Sequence, residues 1–580
     1  MTMFSAGAAR TDITTFDADA ELMGWAQPTN RARAVATPLH ARAFVLRHEA
    51  TGQRVAIVVA EICFISESVR AGVHERLAEF SDEGWTDENV LLTATHTHSG
   101  PGGFSHELAY TITTPGYRPH ILKKIVDGIV EAIREAEQKR QPATLRYGNL
   151  PVPYTEPVAF NRSPTAWNRN PEADRVDWRN RHLATNREMP VLEFTGVNNE
   201  PIGCLSWFAV HCTSVHADYR WVSADNKGYA ATEMEEWARD KYGVDYVAGF
   251  CQAASGDVSP NFRYDKHRGL RVGLFDDDFA SARFVGEIQS SHTRKILDHD
   301  STHALEGPLS SALLRVNMEY TNVSPKYANG HTGRRTGHAE LGMSFLQGTE
   351  EGPGPLNPVK GLNQALHRGR KLRKSLQQAL GLSLDGADDA QGGKYTFLET
   401  GRGGNGQAFG LFSMGNPGAP DWLDPTVAEA RRLYKRNALG NGRPWTQGIL
   451  PLQLIRIGPV VFAGVPMEAT TMAGRRIQRS LLEALRPHGV EQIVIAGYAN
   501  GYASYLTTWE EYQAQCYEGS STLFGQWSLA AFQTHFDRVA ARLVTPLTER
   551  PDDIGPAWPR PTDHELEARM HYELPTSLFR

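Results

Sequence analysis

Two histidines one residue apart, His96 and His98, stand between an apolar run and a glycine-rich break: Val90-Leu91-Leu92-Thr93-Ala94-Thr95-His96-Thr97-His98-Ser99-Gly100-Pro101-Gly102-Gly103. The apolar run reads as a buried strand, and Ser-Gly-Pro-Gly-Gly cannot continue it. The pair is therefore delivered to a strand end, where α/β folds tend to place chemistry. Neutral imidazole is the commonest metal ligand, and residues two apart on a strand share a face. Both rings could equally be ordinary core or loop residues, so other positions must decide.

Three further places put a ligand-capable residue at or just beyond an apolar strand. His211 ends Trp207-Phe208-Ala209-Val210-His211, and Glu468 follows the run Val460 to Val465. Tyr505 lies beyond the run Ile493 to Ala496. Each alone has a plain structural explanation. A glutamate at a helix start serves the macrodipole, and a buried tyrosine is usually a hydrogen-bonded core residue.

The elements that must hold these residues alternate. Strands are expected at Val55 to Ala60, Val90 to Ala94, Pro201 to Val210 and Val244 to Cys251. Helices are expected at Ser68 to Phe80, Ile121 to Gln138 and Tyr229 to Tyr242. Later come a hairpin of Leu452 to Ile457 with Val460 to Ala463 turned at Gly458-Pro459, a helix from Thr470 to Leu485, a strand at Ile493 to Ala496 and a helix from Ser528 to Leu543. This order predicts an α/β fold, a mixed sheet with flanking helices. A single domain over 1–545 would contain a loop-rich insertion or lid at 320–445, where Gly and Pro cluster around a basic helix from Leu362 to Leu380. A Pro-rich tail at 546–580 has no evident core of its own.

Composition narrows the class. A net charge of −6 over 580 residues, with Lys and Arg dispersed, gives no argument for nucleic acid or an anionic membrane surface. No run reaches the roughly 18 apolar residues of a membrane span, and no signal peptide is visible. The five scattered cysteines read as reduced, buried thiols, so a cytoplasmic location is expected. Without a CxxC pair, a thiolate zinc site is not expected.

Taken with their flanking strings, these positions resemble the neutral (non-lysosomal) ceramidase family from the N-terminus to about residue 540. The strings are Arg10-Thr11-Asp12-Ile13-Thr14, Met23-Gly24-Trp25-Ala26, the histidine segment 95–103, Asn161-Arg162-Ser163-Pro164 and Asp225-Asn226-Lys227-Gly228-Tyr229-Ala230. Gly256-Asp257-Val258-Ser259-Pro260-Asn261, Gly348-Thr349 with Glu351-Gly352-Pro353-Gly354, Thr470 to Arg476, and Thr507 to Glu518 complete the set. The resemblance implies a zinc-dependent amidase that splits ceramide into fatty acid and sphingosine. It implies a single zinc ion held by His96, His211, Glu468 and Tyr505. His98, Arg162, Ser259 and Tyr517 fall on other active-site positions, and Gly24 on a pocket glycine.

Such a donor set of imidazole, carboxylate and phenol suits Zn²⁺ with a position left for water. The amide carbonyl would be polarised there, with His98 or Tyr517 donating a hydrogen bond and Arg162 orienting a polar group or oxyanion. Ser259 could be a covalent nucleophile with His98 as its base, could position the attacking water, or could belong to a plain turn in which Asp257 and Asn261 bond locally. The family's C-terminal immunoglobulin-like domain is not expected in the residues after 540. The polar segment Cys212 to Trp221 is expected to contact the substrate's amine or headgroup, with His216 a surface residue or else an extra pocket residue. The expected partner is a small N-acyl amide or lipid substrate. A more polar cytoplasmic amide or ester, or a silent homologue that only binds a lipid or amide, are the alternatives.

Overall fold

The computed structural model describes residues 3–570 apart from 19, 28, 81–83, 115, 299–300, 355–389, 402–406, 409–411, 414–424, 437 and 439–442. The basic helix expected at 362–380 lies outside the described residues.

Two sheets stack face to face. The first contains β1 (Phe4–Asp12), β2 (His40–His48), β3 (Arg54–Ala60), β4 (Val90–Ala94), β5 (Gln141–Pro151), β6 (Glu188–Gly196), β7 (Pro201–Phe208) and β8 (Val247–Gln252). Their order is β8-β7-β6-β5-β1-β2-β3-β4, with Thr302–Ala304 pairing to β5. The pairs β3–β4 and β7–β8 are parallel, and the others antiparallel. The second sheet runs β9 (Leu309–Asn317), β10 (Ile449–Ile457), β11 (Val460–Val465) and β12 (Gln492–Gly497), with β11–β12 parallel.

Alternation along the strands makes the layers. In β2, Phe44 and Leu46 enter the space between the sheets, while Ala41, Ala43 and Val45 face outward. The inner layer joins Phe44, Leu91, Leu205 and Trp207 to Ile455, Phe462 and Val494, with the Trp207 and Phe462 rings 4.8 Å apart. Helices α1 (Glu67–Ala78) and α2 (Pro119–Gln138) cover one half of the first sheet's outer face, and α3 (Asp225–Tyr242) with α4 (Asp278–Asp298) the other. Helices α5 (Thr471–Leu485) and α6 (Ser528–Val544) cover the second sheet. The mixed sheet with flanking helices is thus present, doubled into a helix–sheet–sheet–helix sandwich. Among the described residues no helix is long and apolar enough to cross a membrane.

Five strands deliver the site. The C-terminal ends of β4, β7, β8, β11 and β12 lead to His96, His211, Ser255–Ser259, Glu468 and Tyr498–Tyr505 respectively. Each chain leaves its sheet at the same edge, as the carboxyl ends of parallel strands do in α/β folds.

Candidate active site

His96 is not on a strand. The strand ends at Ala94, and His96 takes φ +67°, the left-handed region that side chains enter only when held there. Its N–H donates to Ile62 O at 3.0 Å, and its Nδ1 lies 2.7 Å from Cys63 O. His211 is held in the same manner, with Nδ1 2.8 Å from Ser255 O and 3.1 Å from Val258 O. A carbonyl only accepts, so Nδ1 carries the proton in both rings and both Nε2 atoms present lone pairs.

Those lone pairs converge. Nε2 of His96 is 3.5 Å, and Nε2 of His211 3.2 Å, from Glu468 Oε2. All three ligand atoms lie within 4.8 Å of one another. The buried His211 Nε2 makes no hydrogen bond despite this proximity. Two aligned imidazole lone pairs and a carboxylate oxygen, with an orphaned nitrogen among them, fit a divalent metal ion. Tyr502 donates its hydroxyl to Glu468 Oε1, Tyr498 lies 3.3 Å from Oε2, and the Tyr498 ring stacks on His96 at 4.1 Å. A second grouping, Cys63 with His96 and His98, is a poorer metal site. Cys63 Sγ lies on the Nδ1 side of His96, at 3.8 Å, and burial pushes its thiol well up.

His98 turns Nε2 to His96 Nε2, 3.0 Å away, with the rings nearly perpendicular. Burial first, then His96 and His211, hold it neutral, and its Nδ1 is buried without a partner. The pair therefore meets ring to ring across a broken strand, not side by side on one face. Gly24 makes room for it: at φ +121°, a Cβ there would stand 2.5 Å from His98 Cγ. Gly24→Ala is expected to displace the His98 ring and lower kcat/KM by up to about 10² with metal retained, since misplacement by about 1 Å has that cost. Steady-state assay alongside metal analysis checks it.

Ser259 corrects two expectations. Its Oγ donates not to His98 but to Glu351, whose Oε2 also accepts from Asn261 Nδ2 at 2.8 Å and Thr213 Oγ1 at 3.1 Å. Nor is GDVSPN a plain turn. Asp257 accepts from Thr471 at the start of α5 and from Asn161, while Asn261 reaches Thr213 and Glu351. Burial opposes ionisation of Glu351, but Arg162, 2.9 Å from Oε1, keeps the carboxyl below its ordinary value.

Arg162 is largely committed within the protein. Nε donates to Glu518 at 2.8 Å, Nη1 to Glu351, and Nη2 to both Gly256 O and Tyr505 Oη at 2.8 Å. It is placed as a brace for Glu351 and Tyr505 more than as a free hand for an oxyanion. Tyr505 pairs in register with Glu468 across a short parallel bridge, and Tyr517 packs edge-on against it with ring centroids 5.5 Å apart. Burial raises both phenols well above their ordinary value, against the pull of Arg162.

All nine residues expected at the site (Gly24, His96, His98, Arg162, His211, Ser259, Glu468, Tyr505 and Tyr517) are brought together. Glu351, Glu518, Tyr498 and Tyr502 were not expected. Glu351 stands in one of the quoted strings, beside Glu350 on a glycine-rich loop, which was its available signal. His216 is not a surface residue: it is buried, stacks on Trp25 and binds Asp278 and Arg271 O. From the segment after His211, Thr213 reaches Glu351, whereas Asp218 pairs with Arg268 and Arg220 binds Thr29 O. The Asp225-Asn226-Lys227 string fixes the His211 loop: Asn226 Nδ2 donates to His211 O, Asp225 accepts from Val215 N–H, and Lys227 donates to Phe208 O.

Known proteins share this arrangement of chain. The family described as "Neutral/alkaline non-lysosomal ceramidase, N-terminal" matches residues 4–410 and 374–534. Neutral ceramidase of Pseudomonas aeruginosa is 34% identical over 557 residues, 95% of this chain and 73% of that protein. Neutral ceramidase of Mycobacterium tuberculosis is 31% identical, covering 97% of this chain and 79% of the relative. A solved ceramidase complexed with C2 superposes with a TM-score of 0.78 at 32% identity, over 97% of this chain and 78% of that one. With sequence, fold and extent of match in agreement, the chain belongs to the neutral/alkaline non-lysosomal ceramidase family.

Proposed function

We propose that this amide hydrolase is a zinc-dependent amidase that cleaves the N-acyl bond of ceramide or a related N-acyl amide, giving a fatty acid and an amine. The observation that carries the reading is the convergence of two carbonyl-anchored imidazoles on Glu468, a short chain of contacts from the Ser259–Glu351 pair. His96, His211, Glu468 and Tyr505 would hold the ion, which supplies Lewis-acid polarisation and lowers the pKa of water from 15.7 to about 7.

The chain's own residues supply the rest. Arg162 stabilises negative charge on the Tyr505 oxygen through its 2.8 Å donation. His98, held neutral by burial and so keeping a single N–H, donates that hydrogen bond to the carbonyl oxygen as charge develops there, with Tyr517 as a second donor. The Ser259 hydroxyl is polarised by the Glu351 carboxylate and oriented by the Asn261 N–H at 2.9 Å. Glu351 thus takes the base role offered to His98 under the covalent reading of Ser259, whether the proton it draws on comes from Ser259 itself or from a water that Ser259 positions.

A substrate series tests the reading: long-chain ceramide, short-chain ceramide, N-acylethanolamine and a fatty acyl ester, each assayed with the zinc-loaded enzyme. Ceramide is expected to be hydrolysed with release of equimolar fatty acid. Activity confined to the ester would reject the amidase assignment.

A further inference from the structure

Glu468 turns its two oxygens to different neighbours. Oε2 faces Nε2 of His96 and of His211, while Oε1 accepts the hydroxyl of Tyr502. A second tyrosine, Tyr498, approaches Oε2 at 3.3 Å. Both tyrosines lie on the loop that runs from β12 to Tyr505.

Tyr498 reaches all three of the converging groups. Its ring stacks on His96, with the planes 26° apart. Its hydroxyl lies between Glu468 Oε2 and Ser255 Oγ, the latter 3.0 Å away. Ser255 in turn holds His211, because its carbonyl accepts from the His211 Nδ1–H. The backbone beside Tyr498 is pinned to the strands that deliver the same groups. Ala499 N–H donates to Val465 O at 3.1 Å, on the strand leading to Glu468. Asn500 N–H donates to Leu92 O at 2.9 Å, and Asn500 Oδ1 accepts from Leu92 N–H at 3.0 Å, on the strand leading to His96. Tyr498 itself is fully buried at φ +55°, a left-handed conformation that a bulky residue adopts only where its surroundings hold it.

Tyr502 is held as firmly. Its ring stacks on Phe64 at 4.2 Å and leans on Tyr110 at 5.2 Å, and its N–H donates to Gln447 Oε1 at 3.1 Å. The hydroxyl is thereby aimed at Glu468 Oε1. A carboxylate can offer a metal one oxygen or two, and a catalytic zinc site needs a position left open. We infer that Tyr498 and Tyr502 are positioning residues that make Glu468 a ligand through Oε2 alone. The inference rests on the metal-dependent reading above. Neither tyrosine supplies a ligand. Tyr498 sets Glu468 against His96 and the His211 anchor, and Tyr502 keeps Oε1 turned away.

Tyr498→Phe and Tyr502→Phe remove the hydroxyls and keep the rings. Zinc affinity is measured by competition with a chromophoric chelator, and the visible absorption of the Co²⁺-loaded protein reports coordination number. Each variant is expected to bind zinc about 10- to 100-fold more weakly, the range for losing a partner that orients a ligand. Tyr502→Phe should also weaken the Co²⁺ bands, which fade as coordination number rises, because Oε1 is released. A role confined to ring packing would change neither reading. Zinc affinity within about 2-fold of the unmodified protein in either variant would overturn the inference, and so would unchanged Co²⁺ bands in Tyr502→Phe. An unmodified protein that takes up neither ion would sink the metal-dependent reading along with it, so the two failures are distinguishable.

Discussion

Replacing Glu468 with glutamine is expected to abolish metal binding and hydrolysis together. The substitution is nearly isosteric, so packing against Tyr498 and Tyr502 is kept. The lost charge is what matters: the carboxylate faces two imidazole lone pairs at 3.5 and 3.2 Å, and an amide there cannot hold a divalent ion with them. Lewis-acid polarisation contributes several kcal/mol, so the loss in kcat should be on the order of 10³ or more. Metal analysis of the purified variant and assay with added zinc check both halves. Full activity in Glu468→Gln would remove the histidine–glutamate centre from the reaction.

The second large effect concerns Ser259 and Glu351, which touch each other and not the convergent imidazole nitrogens. Ser259→Ala and Glu351→Gln are each expected to lower kcat by about 10² to 10⁴, the range for an acid–base group, while the bound metal stays. Groups that act as one unit do not add, so the double variant should be little worse than either single one. Arg162 keeps its pair with Glu518 when Glu351 is neutralised, which limits the structural damage. A full-rate Ser259→Ala would discard both chemical roles of the serine. A full-rate Glu351→Gln beside an inactive Ser259→Ala would discard the carboxylate as its base.

What the sequence made legible follows from how local each signal is. The strands at 54–60, 90–94 and 492–497 are continuous apolar runs, and the structure places them within a residue or two of where those runs lie. Strand β1, Phe-Ser-Ala-Gly-Ala-Ala-Arg-Thr-Asp, carries no such run. It is small because α2 lies on it, and a Cβ on Gly7 would come 2.0 Å from Ala136 O. Strand β5, with Arg146 and Asn149 between apolar neighbours, owes its place to pairing with β1 and β6. Tertiary contact decides both, and no window of sequence contains it. The second sheet was visible as hairpin and strand, but its stacking on the first was not.

The site divides in the same way. His96, His98, His211 and Glu468 lie where apolar strands stop, a signal any sequence carries. Tyr505 lies just beyond such a strand, whereas Arg162 came through resemblance alone. Glu351 was missed as a partner because the residues it meets, Arg162, Thr213, Ser259 and Asn261, arrive from three other loops. His216 was misread because its neighbours in sequence are polar, whereas its neighbours in space are Trp25, Asp278 and a carbonyl.

The account turns on a metal ion at His96, His211 and Glu468. Its most direct test is the zinc content of the purified protein measured beside ceramide hydrolysis, before chelation, after chelation and after zinc is returned. About one zinc per chain is predicted, with activity lost on chelation and restored by zinc. A zinc-free preparation that hydrolyses ceramide at an undiminished rate in the presence of chelator would contradict it.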